Sequence, residues 1–194
     1  MKNKFIAIFA SALLIVAFAG NASAQGLGIR KSANLYSSAD GRLYIGGGFV
    51  GGFGSNGGAI GLIPEIGYRL SNNWSLGAIA GYTFNYYSNR DYNVHRILVD
   101  PYVRWQYPIA NVAWVFVDGF AQYNYLMFTN GYGNTSVFKT GIRPGIALPL
   151  GNHIYLTARI GYLGYMKGEG GNNDGKFTYH CTRNDVMIGV SVNL

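Results

Sequence analysis

The chain is poor in charge. Only 12% of its 194 residues are Asp, Glu, Lys or Arg, about half of what an ordinary soluble domain carries. It has one cysteine, Cys181, so no disulfide can form within it. Past the first 25 residues no apolar run approaches the roughly 18 residues that a membrane-spanning helix needs. The positive residues are spread singly among the strands, with no basic run of the kind that tracks a nucleic acid. Those absences leave neither a disulfide scaffold nor a helical membrane protein, and they speak against a nucleic-acid binder.

What is present is aromatic and glycine-rich: 16 Tyr, 11 Phe, 3 Trp and 29 Gly. The N-terminus has the parts of a secretory signal. Lys2 and Lys4 form a basic start, Phe5–Phe18 is apolar, and Ala22-Ser23-Ala24 matches the small-x-small cleavage rule. Residues 1–24 are therefore expected to be removed, taking the formal charge from +7 to +5. Residues 25–41 are polar and turn-rich and read as a periplasmic leader ahead of one domain, residues 42–194.

That domain alternates with a period of two. Ile97, Val99, Pro101, Val103, Trp105 and Tyr107 fall on one register, and Arg96, Asp100, Arg104 and Gln106 on the other. In a strand these registers face opposite ways. The pattern predicts eight strands: Arg42–Phe53, Ala59–Leu70, Trp74–Tyr87, Val94–Tyr107, Val112–Phe128, Ser136–Leu150, Ile154–Met166 and Asn184–Leu194. Tight turns at Ser71-Asn72-Asn73, Pro108–Asn111 and Gly151-Asn152-His153 alternate with the longer connections Ser88–Asn93, Thr129–Thr135 and Lys167–Arg183, the asymmetry of outer-membrane barrels. The expectation is an all-β, eight-stranded antiparallel up-and-down transmembrane β-barrel, closed by its first and last strands so that no edge meets lipid. Pro64, Pro101 and Pro144 recur at equivalent places in strands two, four and six, where a missing N–H implies an unpaired position or a bulge.

Alternation alone does not say which register faces inward. A soluble barrel would need dozens of charges outside. The polar register holds only about ten strand charges, and the apolar one carries Trp74, Tyr82, Tyr86, Trp105, Tyr107, Tyr123 and Tyr125 towards strand ends, as interfacial girdles do. The polar register is read as a polar lumen. Its charges are Glu65, Arg69, Arg96, Asp100, Arg104, Asp118, Lys139, Arg143, Arg159 and Asp185. Eight strands leave a bore that side chains just fill, so these charges must be paired.

The motifs Val99-Asp100-Pro101-Tyr102-Val103-Arg104-Trp105 and Gly141-Ile142-Arg143-Pro144-Gly145-Ile146-Ala147 resemble the repeated strands of the outer membrane protein β-barrel domain common in Bacteroidetes. That group is similar in architecture to the OmpA- and OmpX-like barrels. The resemblance implies a bacterial outer-membrane location and a small integral barrel, and it implies no particular activity. Val186, Ile188, Val190, Val192 and Leu194 resemble a C-terminal assembly signal read by the barrel-insertion machinery, with Leu194 in place of the usual terminal aromatic.

Catalytic and metal readings find little. His95 with Ser88 is the nearest pair for lipid chemistry, but no acid stands on that face to orient the base. His180-Cys181 lacks the second cluster of a zinc site. Gly168–Gly175 lacks the spaced carboxylates of a calcium loop. Gly46-Gly47-Gly48 precedes no helix and is no nucleotide motif. No cofactor is expected and the chain does not read as an enzyme. Its expected partners are outer-membrane lipid and lipopolysaccharide and the insertion machinery, with the barrel a monomer. The function read from these residues is a structural or surface-interaction barrel with a charge-filled lumen. The alternatives are a narrow or gated porin-like channel for small solutes and, more remotely, a lipid-modifying enzyme.

Overall fold

A computed structural model describes residues 42–54, 57–109, 112–131, 133–151, 153–168, 175–181 and 186–194. The signal segment 1–24, the leader 25–41 and Asp185 lie outside the described residues. The strands are β1 (Leu43–Gly54), β2 (Gly57–Arg69), β3 (Trp74–Tyr87), β4 (Val94–Ile109), β5 (Ala113–Phe128), β6 (Asn134–Pro149), β7 (Ile154–Ile160), β8 (Tyr162–Lys167), β9 (Lys176–His180) and β10 (Val186–Asn193). Every pairing is antiparallel. β1 to β6 pair in chain order, and β10 returns to β1, from Tyr44 opposite Asn193 to Gly48 opposite Gly189. β7 and β8 lie in succession along β6, and β9 and β10 pair in turn with β8 and β7. The ten segments are therefore eight staves of one closed barrel.

The seventh and eighth staves are where the observed strands depart most from the expected ones. Lys176–His180, expected within a loop, is strand and pairs with β8, Tyr162 facing His180 and Met166 facing Lys176. Phe177 and Tyr179 project outward while Thr178 and His180 are half-buried, so this stretch keeps the period of two. Its short length and the glycine- and asparagine-rich segment before it hid that signal.

The seventh stave is broken by a bulge. Gly145 faces Arg159, yet Ile142 faces Leu163, so Arg143 and Pro144 stand opposite Ile160, Gly161 and Tyr162. Gly161 takes φ +62°, a left-handed conformation that favours glycine. Pro144 thus sits at a bulge. Pro64 and Pro101 do otherwise. The β2–β3 ladder skips from Leu62–Tyr82 to Glu65–Ile79, and the β4–β5 ladder from Val99–Tyr123 to Tyr102–Phe120, each resuming in register. Each of these two prolines keeps its partner on the other side, Gly47 or Ala78, and loses only the ladder to which a proline cannot donate.

The two faces are inverted relative to a soluble protein. Leu62 is 65% exposed, whereas Asp100 and Asp118 are fully buried. Trp74, Tyr82, Trp105, Tyr107 and Tyr123 all stand on the exposed wall. No helix among the described residues is long and apolar enough to cross a membrane; the strands carry the apolar surface instead.

Glycines let the staves approach closely. A Cβ on Gly141 would lie 2.2 Å from the Leu163 carbonyl oxygen and 2.6 Å from the Gly164 Cα. Gly141 is on the lumen register, but backbone on the facing stave leaves no room there even for serine. Gly141→Ser is expected to lower stability by about 1–3 kcal/mol, read from urea unfolding of the refolded barrel. An unchanged midpoint would show that β6 and β8 can part at no cost.

Candidate functional site

Among the described residues, charge is concentrated in the lumen, and the strands deliver it in order. Successive inward positions of β4 place Asp100, Tyr102, Arg104 and Gln106 within the barrel, all nearly fully buried. β5 adds Trp114, Phe116, Asp118 and Phe120. β2 brings Glu65 and Arg69, β6 brings Arg143, and β7 brings Arg159.

Six of these charged groups form a continuous network. Asp118 accepts two bonds from Arg104, Nε at 2.7 Å and Nη2 at 3.0 Å. It accepts a third from Arg159 Nε at 3.0 Å, and Arg143 Nη2 lies 4.0 Å away. Glu65 receives Arg159 Nη2 at 2.5 Å and the Tyr102 hydroxyl, with Arg104 Nη2 at 3.6 Å. Asp100 accepts from Arg143 Nη1 at 2.8 Å. The two-pronged contact of Arg104 with Asp118 is the geometry that a planar guanidinium favours. Aromatic faces cover the cations. Arg104 lies 3.8 Å from the centroid of Phe116 and 5.0 Å from that of Tyr102, and Arg143 lies 4.5 Å from that of Phe120, within cation–π range.

The remaining lumen candidates stand apart. Arg69, nearer the short turns, donates to Asn193 Oδ1 at 2.5 Å and lies over the Tyr44 ring. Arg96 and Lys139 are half-buried towards the opposite mouth, with Lys139 Nζ 5.1 Å from the centroid of Tyr162. Asp185 lies outside the described residues.

The lumen is not polar throughout, which corrects the sequence expectation. Beyond the charges, towards the long connections, Ile63, Ile79, Leu98, Tyr102, Phe120 and Tyr162 pack into one cluster, with Met187 against it. Towards the short turns Trp114, Phe116 and Ala147 form another. The charged layer is held between two apolar layers. The reason is the bore. Eight strands leave too little width for a water column, so the interior must pack like any core. For Ile63, Leu98 and Phe120 the signal was in the sequence, because they share the registers of Glu65, Asp100 and Asp118, but attention to charge passed over it. Tyr162 has the opposite parity to Arg159 and comes to the lumen only through the Gly161 bulge. Attention to charge passed over Tyr102 as well. It sits between Asp100 and Arg104 on their register, bonds Glu65, and meets the Tyr44 hydroxyl at 2.8 Å.

The other candidates are placed elsewhere. His95 is on the outer wall, with Nδ1 2.6 Å from the Tyr82 hydroxyl and its ring 4.9 Å from that of Phe84. Among the described contacts it meets those two residues and not Ser88. His180 stacks on Tyr162 at 5.3 Å, and no group of three or more potential metal ligands occurs among the described residues. Val186, Ile188, Val190 and Leu194 are exposed on the outer wall of the closing stave, and Val192 is half-buried there.

No family model matches the chain, and no curated protein matches it. Solved structures with a similar fold include Neisserial surface protein A, at 16% identity and a TM-score of 0.45, covering 78% of this chain and 96% of that one. A major outer membrane protein from Thermus thermophilus aligns at 15% identity and a TM-score of 0.40, covering 78% of this chain and 97% of that one. Both likenesses concern the fold alone.

Proposed function

We propose that this chain is a small integral barrel of a bacterial outer membrane, of the Bacteroidetes-type family its strand motifs resemble, with a closed lumen and a structural or surface-interaction role. The apolar wall supports the membrane placement. It would be unstable in water, and a closed barrel is the only strand architecture that satisfies its own backbone in lipid. The filling of the bore supports the role. Ion pairs of 2.5–3.0 Å and two packed apolar layers occupy the interior, which leaves the outer surface as the place to meet other molecules. Phe177 and Tyr179, at 73% and 70%, are the most exposed large apolar residues among those described. They stand together on the β8–β9 pair and offer lipopolysaccharide or a surface ligand an aromatic contact. Assembly through the insertion machinery, with β10 as the segment it reads, and a monomeric state belong to the same proposal. No catalytic step does, because His95 is engaged with Tyr82 and has no acidic partner among the described contacts.

The alternative is a narrow anion-biased channel. Its support is that, among the described residues, arginines outnumber carboxylates in the buried layer. The apolar layer of Ile63, Ile79, Leu98 and Phe120 opposes it, since an ion crossing there would lose its hydration without replacement. Purified mature protein in planar bilayers is therefore expected to show no steady conductance. Large, lasting, anion-selective currents from the unmodified barrel would overturn the closed-lumen reading and establish the channel.

A further inference from the structure

Among the described strands, every charged residue but one falls on the lumen register. The exception is Lys167, which sequence reasoning placed at the start of a connection. It ends β8, where Tyr162, Gly164 and Met166 are buried while Leu163, Tyr165 and Lys167 are exposed. It stands opposite Phe138, which is 41% exposed on the outer wall, and residues directly opposite in a ladder share a face. No ion pair among the described residues includes it. A cation on the lipid-facing register is costly in hydrocarbon and costs little at the headgroups. β8 meets its long connection at Lys167, so the ammonium stands at the outer rim. Below it the wall is apolar. Tyr165 faces Phe177 and Leu163 faces Tyr179, all four exposed. At roughly 3.4 Å per residue, the ladder from Leu163 to Lys167 spans about 13 Å, long enough for the upper part of an acyl chain. Just beyond Phe138 on the same register, Ser136 Oγ meets the Tyr123 hydroxyl at 2.9 Å. The face therefore carries a cation and hydroxyls at its rim and apolar rungs beneath them.

We infer that this face is a site for one phosphate-bearing lipid of the outer leaflet. Lys167 meets the phosphate in a charge-assisted contact. The Ser136 and Tyr123 hydroxyls stand at headgroup level, and the acyl chains lie along Leu163, Tyr165, Phe177 and Tyr179. The anionic headgroup complements the outward cation, and the chains complement the apolar ladder; a soluble anion would use only the first. The inference rests on the membrane placement proposed above and gives the aromatic pair Phe177 and Tyr179 its partner. It concerns the outer wall and not the lumen, so the bilayer conductance result does not bear on it.

The test uses the mature barrel refolded in nonionic detergent. Lipid A serves as the phosphorylated glycolipid, its chemically dephosphorylated form is the comparison, and native mass spectrometry reads the bound lipid. The expected result is one retained lipid A per barrel, held at least tenfold more tightly than the dephosphorylated form and not displaced by inorganic phosphate. Lys167→Gln should remove that preference and Lys167→Arg should keep it. Arg90→Gln, which alters a cation on the outer connection between Tyr87 and Tyr92, should leave it unchanged. Equal retention of the two glycolipids by the parent, or an undiminished preference in Lys167→Gln, would overturn the site. The comparison in the parent decides even if a variant fails to fold. Displacement by inorganic phosphate would overturn the lipid assignment, and so would a dimer that excludes lipid, which would give the face to a second copy of the chain. Refolding of the parent into vesicles reads the membrane placement separately. A barrel that inserts but shows no phosphate preference defeats this inference alone, and one that does not insert defeats both.

Discussion

Asp118→Ala is expected to cost the barrel about 3–5 kcal/mol, more than any other single change in the lumen. Asp118 is fully buried and receives hydrogen bonds from both Arg104 and Arg159, with Arg143 at the edge of contact. Removing its carboxylate strands guanidiniums that no water can reach. Asp100→Ala should cost less, although Asp100 is equally buried. It holds Arg143 through one oxygen, and its other oxygen has no hydrogen-bond partner among the described residues. Urea unfolding in lipid vesicles, followed by tryptophan fluorescence and heat-modifiable migration, reads both. Equal losses would mean that the network does not centre on Asp118. The size of the effect reflects the broken pairing and not the worth of the ions as such. Exchanging a whole buried network for apolar side chains of like volume is often close to neutral.

Val103→Arg is expected to impair insertion by about 2–4 kcal/mol. Val103 is 42% exposed on the outer wall, midway along β4, between the lumen residues Tyr102 and Arg104. An arginine there would face hydrocarbon near the centre of a bilayer. Thr83→Val, on the lumen register of β3, is the companion control. Thr83 is 4% exposed and its hydroxyl has no hydrogen-bond partner among the described residues, so the exchange removes an uncompensated polar group and should be nearly neutral. Refolding yield into preformed vesicles compares the two. If Val103→Arg inserts as well as the parent, the outer wall does not meet lipid and the membrane placement fails.

The prolines show how far the pattern of residues reaches. Their recurrence at positions 64, 101 and 144 marks three disturbed places in three even-numbered staves. Whether each becomes a gap or a bulge depends on the neighbouring stave. Only opposite Pro144 does the facing chain contain an extra residue, and only there does a glycine stand ready to take φ +62°. Gly141 teaches the same lesson from the other side. Its register is legible, but the carbonyl 2.2 Å from a would-be Cβ belongs to Leu163, more than twenty positions away. The β9 strand is a third case. Its alternation was present in five residues, too few to be distinguished from a loop until Tyr162 and Met166 were found opposite it.

The sequence by itself determined the barrel, its strand count and which face is apolar, because a period of two is a local property that each strand states independently. It also placed Glu65, Asp100, Arg104, Asp118, Arg143 and Arg159 on one register. What it did not contain is the stagger between staves. The pairing of Arg104 with Asp118, of Arg159 with Glu65 and of Arg143 with Asp100 joins different strands, two of these pairs between strands far apart in the chain. The β4–β5 ladder sets Arg104 opposite Asp118, the β5–β6 ladder brings Arg143 level with them, and closure of the ring, by β1 against β10, sets the height of Arg159 against Glu65. The same closure sets the width of the bore, and that width decided that Ile63, Leu98 and Phe120 pack above the charges instead of lining a water-filled path.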